Sequence, residues 1–506
     1  MIVYRSIVGG GVLDAPCRRH YKFAPMLREF VILYRRGVRD AAPYNTQINY
    51  NLPSPEITVL ISAHTIPKGA DLMESIWTAT SHLPHFPRLQ GDISTDVLVI
   101  GGGMAGLLCA HQLQRAGVNC IVAEGGTIAG GITKNTTAKI TSQHGLIYHK
   151  LVSRFGYEAA GLYLEANQQA LAAYRSLCTG IDCDFSEQDN FVYSRDDRSL
   201  LEQELECLDV LGFSAGLAED LPLPFPTVGA VKFPRQAQFH PLKFLAAIAQ
   251  PLRIFENTPV RELTPNCATT DNGRIFADTM IVATHFPFLN KHGSYFLKLY
   301  QQRSYVLSLE NAPLPEGMYL DEQENGLSFR SHAGQLLLGG GGHRTGKQGG
   351  NWNELELFTQ VHYPNAKITH RWATQDCMTL DGIPYIGQYS ARTPNLYVAT
   401  GFNKWGMTSS MVAAQMLTDL ITGKGSPYEA LFSPSRSMLC SQLAVNAIEA
   451  TKNLLTFTTK RCPHLGCALK WNPQERSWDC PCHGSRFKED GTLIDNPATG
   501  DLKKRN

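Results

Sequence analysis

The hydrophobic positions of residues 96–124 change period along the chain. Asp96 to Ile100 is a short run rich in β-branched and apolar residues, which predicts a buried strand. After a glycine-rich turn, apolar residues recur with the spacing of an amphipathic helix, and a second apolar run then ends at Glu124. The pattern predicts a strand–turn–helix–strand unit with parallel strands.

The glycines of this turn follow the spacing G-x-G-x-x-G and are Gly101, Gly103 and Gly106. The first permits a tight turn, the second lets the backbone approach a pyrophosphate, and the third lets helix and strand pack closely. Glu124 stands where an acid accepts hydrogen bonds from ribose hydroxyls. A plain glycine-rich turn is the alternative, but the combination of strand, helix and acid favours dinucleotide binding.

A second glycine turn, within residues 395–421, also lies between a predicted strand and a predicted helix. Gly401 lies in the turn, and the main-chain donors of Gly406, Met407 and Thr408 at the helix start suit the N1/O2 edge of an isoalloxazine, where negative charge accumulates on reduction. A turn without a ligand is the alternative. A separate nicotinamide site would need another G-x-G-x-x-G motif, and the sequence has none. The pattern therefore favours a flavin.

The segment 461–487 contains four cysteines and two histidines. Cys462-x-His464 and Cys480-x-x-His483, separated by a predicted hairpin, supply two thiolates and two imidazoles. A zinc site could use the same four ligands. However, the pattern CPHLGC…CPCHGS matches the two boxes of a Rieske centre, in which two cysteines bind one iron of a [2Fe–2S] cluster and two histidines bind the other. This match favours iron and sulfide over zinc.

Composition excludes several classes of function. The 506 residues carry a formal net charge of +1, so charge does not favour binding to nucleic acid or to an acidic membrane. No apolar run approaches the roughly 18 residues needed to cross a bilayer, which predicts a soluble protein. Four of the thirteen cysteines are clustered at 462–482, which favours a metal site in a reducing compartment over a disulfide scaffold. We therefore expect a cytoplasmic location.

The first 72 residues differ from the rest of the chain. Lys and Arg outnumber Asp and Glu between residues 1 and 40, and neither a helical period nor a secretory signal is evident. We predict a basic N-terminal extension over 1–72 that is poorly ordered. A basic targeting or docking arm is the alternative.

From about residue 74 to 435, the chain resembles the FAD-dependent amine and amino-acid oxidoreductases of the D-amino acid oxidase, glycine oxidase and sarcosine oxidase type. The stretches that carry the resemblance are DVLVIGGGMAG, GGITKNTTAKITSQHG, FENTPVREL, MIVATHFPF, LDGIPYIG and LYVATGFNKWGMT. The stretch FPRQAQFHP is similar to a bacterial branch whose members carry a C-terminal Rieske domain. The resemblance implies an α/β Rossmann-like FAD-binding domain with an interleaved α+β substrate domain, plus a small all-β Rieske cluster-binding domain.

Domain boundaries follow from the same resemblance. We predict an FAD-dependent oxidoreductase over 73–435 and a shortened Rieske [2Fe–2S] domain over 436–506. The predicted FAD-binding parts are about 93–150, 245–290 and 375–425, and the predicted substrate parts are about 151–244 and 291–374. Only about 40 residues separate the end of the flavin helix near Gly423 from Cys462. We therefore expect the Rieske domain to borrow part of its framework from the flavoprotein body.

The resemblance also implies roles for single residues. Those placed beside FAD are Val260, Thr136, Thr137 and Lys139. Val260 would hold adenine through its backbone, and Lys139 would supply a cation near flavin N5, with a solvated lysine as the alternative. Cys467 and Cys482 would form a disulfide that ties the two cluster loops together.

The substrate side departs from the family. In sarcosine oxidases a basic residue that binds the substrate carboxylate stands at the position of Ser142, and a substrate-binding lysine stands at that of Thr408, so a simple amino acid is less well supported as substrate. The remaining candidates for carboxylate or amine recognition are Arg330, Arg303, Tyr305 and His343. Packing and surface roles are their alternatives. The predicted catalytic set is Lys139, Arg330, Tyr305 and Thr408, and Cys377 is interpreted as an ordinary thiol.

Together the two halves predict an FAD-dependent dehydrogenase that oxidises a C–N bond of an amine or amino acid and passes electrons through the Rieske cluster to an unidentified acceptor. A flavin accepts two electrons as a hydride, whereas a [2Fe–2S] cluster transfers one at a time. One alternative is an electron-transfer reductase in which electrons flow the other way. Another is a protein without turnover, in which the cluster is a redox sensor or a structural staple.

Overall fold

The structure, a computed structural model, describes residues 74–289 and 292–503. The predicted N-terminal extension, residues 1–72, lies outside the described residues. Two large sheets and one small sheet organise the described part of the chain. Its strands, in chain order, are β1 Ile93–Ile100, β2 Cys120–Ala123, β3 Lys139–Ile140, β4 Ser186–Ser194, β5 Gly216–Ala218, β6 Gly229–Gln238, β7 Ile254–Phe255, β8 Val260–Thr264, β9 Cys267–Thr270, β10 Gly273–Val282, β11 Leu299–Glu310, β12 Met318–Asp321, β13 Ser328–His332, β14 Gln335–Arg344, β15 Lys367–Thr379, β16 Tyr385–Gln388, β17 Leu396–Thr400, β18 Lys470–Asn472, β19 Ser477–Asp479, β20 Arg486–Lys488 and β21 Leu493–Asp495.

The described part of the chain also contains ten α-helices. In chain order they are α1 Ile76–Ala79, α2 Met104–Arg115, α3 Tyr148–Cys178, α4 Arg198–Val210, α5 Pro241–Ala249, α6 Tyr295–Lys298, α7 Asn351–His362, α8 Gly406–Ile421, α9 Glu429–Phe432 and α10 Ser441–Leu455. The largest apolar core lies among α2, α3, α5, α8 and the two large sheets. None of the helices in the described ranges is long and apolar enough to cross a membrane.

The first sheet contains the strand–turn–helix–strand unit that the sequence predicts. Its order is β16-β17-β10-β1-β2-β7, with the β8–β9 hairpin attached to β10. Strand β1 pairs in parallel with both β2 and β10. Since parallel neighbours need a crossover, α2 makes the connection between β1 and β2. The apolar side chains from Val97 to Ile100 are all buried, as expected for a strand covered on both faces.

The second sheet is interleaved with the first along the chain. Its order is β15-β11-β14-β13-β12-β4-β6-β3, with β5 attached to β6. All of its pairs are antiparallel except β12 with β4. Strands β3 to β6 lie between β2 and β7 in the chain, and β11 to β15 lie between β10 and β16. The predicted interleaving of an FAD-binding and a substrate region is therefore confirmed.

The third sheet consists of β18 to β21 and is small and antiparallel. The predicted hairpins at 468–480 and 485–494 are the pairs β18–β19 and β20–β21. Only one helix of ordinary length, α10, lies between α8 and this sheet, apart from the single-turn α9. The small sheet therefore has few elements of its own to support it.

Candidate functional site

A cavity of about 1110 Å³ runs along the first sheet and reaches the second. Its volume slightly exceeds the range of ordinary small-ligand pockets, as a dinucleotide requires. The predicted cofactor residues that line it are Gly101, Gly103, Glu124, Thr136, Thr137, Lys139, Val260, Gly401, Gly406 and Met407. Gly106 and Thr408 are not among its lining residues. Segments that are distant in sequence thus meet on one cavity wall.

The glycine turn after β1 leaves no space for a side chain at Gly106. A Cβ atom there would lie 1.8 Å from the carbonyl oxygen of Gly101, so α2 approaches β1 as closely as the motif predicts. Glu124 closes the other side of the turn: its Oε2 accepts from the Gly102 N–H at 2.6 Å and its Oε1 from the Gly126 N–H at 2.8 Å. Burial raises the pKa of Glu124. The carboxylate is therefore fixed at the cavity wall by main-chain donors.

Two long side chains that do not line the cavity donate hydrogen bonds to the loop before β3. Trp77 Nε1 donates to the Thr136 carbonyl at 2.7 Å, and Arg330 Nη1 donates to the Thr137 carbonyl at 2.6 Å. Arg330 is fully buried and does not line the cavity. The structure therefore places this predicted catalytic residue behind the wall, where it positions the threonine loop.

Lys139 lies in the cavity wall at the start of β3. Its Nζ donates to Ser328 Oγ at 2.9 Å. Burial, together with the positive charge of Arg330, lowers the pKa of Lys139 to about 7. The Lys139 side chain can therefore be either an ammonium or a neutral amine near neutral pH.

Helix α8 begins at Gly406, so the N–H groups of its first turn have no acceptor within the helix. Gly406 and Met407 line the cavity. The Thr408 hydroxyl turns into the core instead, where it donates to the Thr141 carbonyl at 3.1 Å and lies 2.9 Å from His144 Nε2. Burial lowers the pKa of His144 to about 3, so this cavity-lining imidazole, which the sequence analysis missed, is neutral. Any contact of Thr408 with a cofactor would come from its main chain.

Two of the four predicted substrate-recognition residues, Arg303 and Tyr305, meet at one carboxylate of the Rieske domain, and a third, His343, contacts Tyr305. Arg303 Nε donates to Glu475 Oε1 at 3.0 Å and its Nη2 donates to the other oxygen. Tyr305 Oη donates to Glu475 Oε1 at 2.9 Å and lies 3.1 Å from His343 Nε2. Burial alone would raise the pKa of Glu475, but the charges of Arg303 and Arg486 lower it to about 2. These residues bind a carboxylate, but one that belongs to the chain itself.

The two predicted cluster loops have the same main-chain hydrogen bond. The Gly466 N–H donates to the Cys462 carbonyl, and the Gly484 N–H donates to the Cys480 carbonyl, both at 2.9 Å. Both glycines have a left-handed φ, 79° and 85°, which disfavours other residues. This shared turn explains why each box needs a glycine after its cysteine and histidine.

The side chains of the two loops fit a Rieske cluster. Cys467 and Cys482 form a disulfide, as the resemblance implied. The imidazoles of His464 and His483 face each other nearly at right angles, with centroids 4.9 Å apart. Among the described residues, His483 Nδ1 has no hydrogen-bond partner, while its Nε2 lies 3.1 Å from the Phe296 carbonyl oxygen. One nitrogen held by the backbone and one left for a metal is the usual pattern of a ligating histidine.

Three cysteine sulfurs lie close together in the two loops. The sulfurs of Cys467, Cys480 and Cys482 lie within 4.8 Å of one another. The disulfide removes two of these sulfurs from metal binding. The residues that would hold the cluster are Cys462, His464, Cys480 and His483.

Side chains of the second sheet support the loop that contains Cys480 and His483. Gln301 Nε2 donates to the His483 carbonyl at 2.8 Å, and Gln375 Nε2 donates to the Gly484 carbonyl at 2.9 Å. Arg344 Nε donates to the carbonyl of the intervening Pro481 at 3.2 Å. The sequence analysis missed these three residues, and no local pattern marks them because their partners are main-chain atoms of a distant segment.

The flavin cavity and the cluster domain share a wall. Asn496 Nδ2 donates to the Thr284 carbonyl at 2.6 Å, and both residues line the cavity. His285, the next residue in the wall, lies 3.2 Å through Nε2 from the Oε1 of Gln301. A single side chain, that of Gln301, thus separates a cavity-lining histidine from the backbone of a predicted cluster ligand.

Comparison with known protein families agrees with this geometry. Residues 96–420 match the family described as FAD dependent oxidoreductase, and residues 435–505 match the Rieske [2Fe-2S] domain. Because the first match covers more than half of the chain, the protein belongs to this FAD-dependent oxidoreductase family. Membership implies FAD as a cofactor, and the Rieske domain implies a [2Fe–2S] cluster.

Individual relatives match most of the chain. The Rieske 2Fe-2S iron-sulfur protein YhfW of Bacillus subtilis is 35% identical over 495 residues, which cover 85% of this chain and 97% of the relative. Gamma-glutamylputrescine oxidoreductase of Escherichia coli is 23% identical, with 70% of this chain and 89% of the relative covered. The structure of glycine oxidase from Geobacillus kaustophilus superimposes with a TM-score of 0.58 at 19% identity, covering 68% of this chain and all of that chain. This last likeness concerns the fold.

Proposed function

We propose that the protein oxidises the C–N bond of an amine or amino acid to an imine and passes the two electrons, one at a time, through the Rieske cluster to an acceptor. In this reaction the C–N single bond becomes a double bond, and the substrate loses a hydride from carbon and a proton from nitrogen. When bound, FAD supplies a hydride acceptor and the cluster supplies a one-electron carrier.

The shared wall is the observation that best supports this function. Asn496 of the cluster domain donates to the Thr284 carbonyl in the flavin cavity, and Gln301 connects His285 of that cavity with the His483 backbone. The backbone of a predicted cluster ligand therefore lies only one side chain away from the cavity lining. These contacts favour electron exchange between the two sites.

Residues of the chain would position and polarise the reactants. The first-turn N–H groups at Gly406 and Met407 are oriented to stabilise negative charge, and Lys139 adds a titratable ammonium to the same cavity. Holding the substrate carbon against the hydride acceptor would supply much of the rate.

The two histidines differ in exposure, which suggests where the acceptor binds. His483 is 4% exposed and packs against the flavoprotein body near Phe296, whereas His464 is partly exposed. We infer that electrons enter the cluster on the side of His483 and leave on the side of His464.

Anaerobic mixing of the FAD- and cluster-loaded protein with a panel of amines and amino acids tests the proposal. Flavin absorbance should bleach first, and the EPR signal of a reduced Rieske cluster should follow. Bleaching by NADH, with no bleaching by any member of the panel, would contradict C–N oxidation and favour electron flow in the other direction.

A further inference from the structure

Helix α10 reverses the usual amphipathic arrangement, because its polar side chains face the protein and its apolar side chains face solvent. Its two buried residues are both asparagines, Asn446 and Asn453. Asn446 Oδ1 accepts from Arg344 Nη1 at 2.9 Å, and the Asn453 carbonyl accepts from the Ala468 N–H at 3.0 Å. Hydrogen bonds therefore hold the inner face of α10 to the second sheet and to the residues that follow the first cluster loop.

Large apolar side chains are exposed on the opposite face of α10 and in the segments beside it. Eight of the sixteen large apolar side chains that are exposed in the described ranges lie between residues 439 and 471. Single exposed apolar residues are normal, but a concentration of this kind marks an interaction surface. We define the outer apolar face by six of them, which are Leu439, Val445, Ile448, Leu455, Phe457 and Leu465.

The charges near the outer apolar face are mostly positive. Between residues 437 and 474 the sequence contains one acid, Glu449, which is paired with Lys347. The same segment contains four basic residues, all exposed, which are Lys452, Lys460, Arg461 and Lys470. The net charge of +1 for the whole chain conceals this local excess. An apolar face with basic neighbours is complementary to a surface that is both apolar and negatively charged.

The outer apolar face extends to the first cluster loop. Arg461 Nη1 donates to the Leu454 carbonyl at the end of α10, at 3.2 Å, and to the Gly466 carbonyl of the loop, at 2.8 Å. Leu465, which lies between Gly466 and the predicted cluster ligand His464, is therefore close to the C-terminal end of α10. Whatever covers this face lies beside His464.

From these observations we propose that α10 and its flanking segments bind the surface of an anionic lipid membrane, with the outer apolar face among the acyl chains and the basic residues beside the phosphates. Such a helix lies in the interface and does not cross the bilayer. Phe457 is fully exposed and Leu455 is 81% exposed. Acyl chains adapt to side chains that protrude this far, whereas a protein partner would need a separate pocket for each. The inference goes beyond the proposed C–N oxidation and does not depend on it.

Co-sedimentation of the full-length, FAD- and cluster-loaded protein with lipid vesicles tests the proposal. Vesicles of phosphatidylcholine alone are compared with vesicles in which about a third of the lipid is phosphatidylglycerol. We expect at least about tenfold stronger partitioning into the anionic vesicles, and loss of this difference at about 1 M salt, which screens exposed charges. Failure to bind the anionic vesicles, or equal binding to both kinds, would overturn the inference. Flavin bleaching by amines is measured separately, so this failure is distinguishable from failure of the proposed C–N oxidation.

Variants of the outer apolar face are needed to assign the binding to α10, because residues 1–40 are also rich in Lys and Arg. Ile448→Gln combined with Leu455→Gln should weaken partitioning at least about tenfold, since neither glutamine gains from burial among acyl chains. The matched control combines Val210→Gln with Val361→Gln, two exposed valines on other helices; Val210 is 65% exposed and Ile448 is 66% exposed. The control pair should bind like the wild type. Equal effects of the two pairs would overturn the inference.

A second pair of variants tests the charges. Lys452→Gln combined with Lys460→Gln should weaken binding to the anionic vesicles about tenfold and leave binding to phosphatidylcholine unchanged. Lys367→Gln combined with Lys424→Gln, two exposed lysines of the flavoprotein body, is the control and should change neither. Equal weakening by the two lysine pairs would contradict a specific role of the basic residues near α10.

Other occupants of the outer apolar face give different results with the same variants. If two copies of the chain associated through this face, sedimentation equilibrium without lipid would show a dimer that Ile448→Gln with Leu455→Gln converts to a monomer. If a segment of the same chain covered it, this pair would lower the melting temperature and the valine control would not. If a soluble protein acceptor bound there, the pair would slow reduction of that acceptor in the absence of lipid. Each of these results would overturn the inference.

Discussion

The cluster loops and the flavin cavity are specified over different lengths of chain. All four predicted cluster ligands lie between Cys462 and His483, and each loop closes with its own main-chain hydrogen bond. The flavin cavity collects lining residues from Ile100 to Thr499 and from both large sheets. A site built from one local hairpin can be recognised from a short pattern, whereas a cavity built from many segments depends on the whole fold.

The hydrogen bonds that hold the two sites in place show the opposite pattern. Gln301 and Gln375 of the second sheet support the cluster loop, while the glycine turn that begins the flavin site is closed locally by Glu124. The Rieske domain therefore supplies all the predicted cluster ligands itself but depends on the second sheet for support. Damage to the cluster ligands should spare the flavin site, whereas damage at the domain interface should affect both.

Cys480→Ser gives the largest expected effect on one site alone. A hydroxyl is a poor ligand for iron compared with a thiolate, so the variant should lose the Rieske EPR signal and most of its iron. FAD content and flavin bleaching by the substrate should persist, while electron delivery to a one-electron acceptor falls about a hundredfold or more. Cys207→Ser, a partly exposed free cysteine on α4, is the control. Reduced stability together with normal electron delivery would instead identify the cluster as a structural staple.

Gly106→Val should damage the flavin site with a comparable loss of function. The added side chain would clash with the Gly101 carbonyl and force α2 away from β1, so we expect FAD to be lost from the purified protein. The visible spectrum should then show the cluster without flavin. Gly117→Ala, beyond the end of α2 in open space, is the control for an added methyl group, although its positive φ will cost some stability. Normal FAD content in Gly106→Val would contradict the close-packing role.

Glu475→Gln tests the contact between the two regions and should reduce stability. Removing one partner of a buried ion pair costs about 3 kcal/mol in the free energy of unfolding. The pKa of Glu475 is lowered from its ordinary value of 4.5 to about 2, so its stabilisation is fully present above pH 4.5 and is lost as the pH falls toward 2. Denaturant unfolding should therefore separate wild type from variant at pH 7 and converge at low pH. An equal difference at all pH values would contradict the ion-pair explanation.

Lys139→Met should give the smallest effect, on the potential of bound FAD. Because the pKa of Lys139 is about 7, the side chain carries its proton below neutral pH and stabilises a negatively charged reduced flavin. The variant should lower the potential by about 30 mV at pH 6, equivalent to about 1.4 kcal/mol for a two-electron couple. At pH 8.5 the two proteins should agree. A difference that does not depend on pH would show that Lys139 acts through packing.

Local sequence patterns predicted much of this structure because the interactions behind them are made between neighbouring residues. The parallel unit around Gly101, the helix start at Gly406 and the hairpins after Cys467 and Ser485 are all features of neighbouring residues, and each is present in the structure. The order of the resembling stretches also predicted the interleaving of the two large sheets, which the strand order confirms.

The partners of Arg303, Tyr305 and Arg330 were decided only by the tertiary structure. Glu475 lies more than 160 residues after Arg303 and Tyr305 in the chain. Arg330 donates to the Thr137 carbonyl, which lies at a similar separation before it. The sequence does not show whether an arginine or tyrosine side chain faces a substrate or a carboxylate of its own chain. The sequence alone therefore determined the cofactor motifs and the fold class, whereas folding decided which charges remain available in the cavity, because ion pairing depends on distances that span the whole chain.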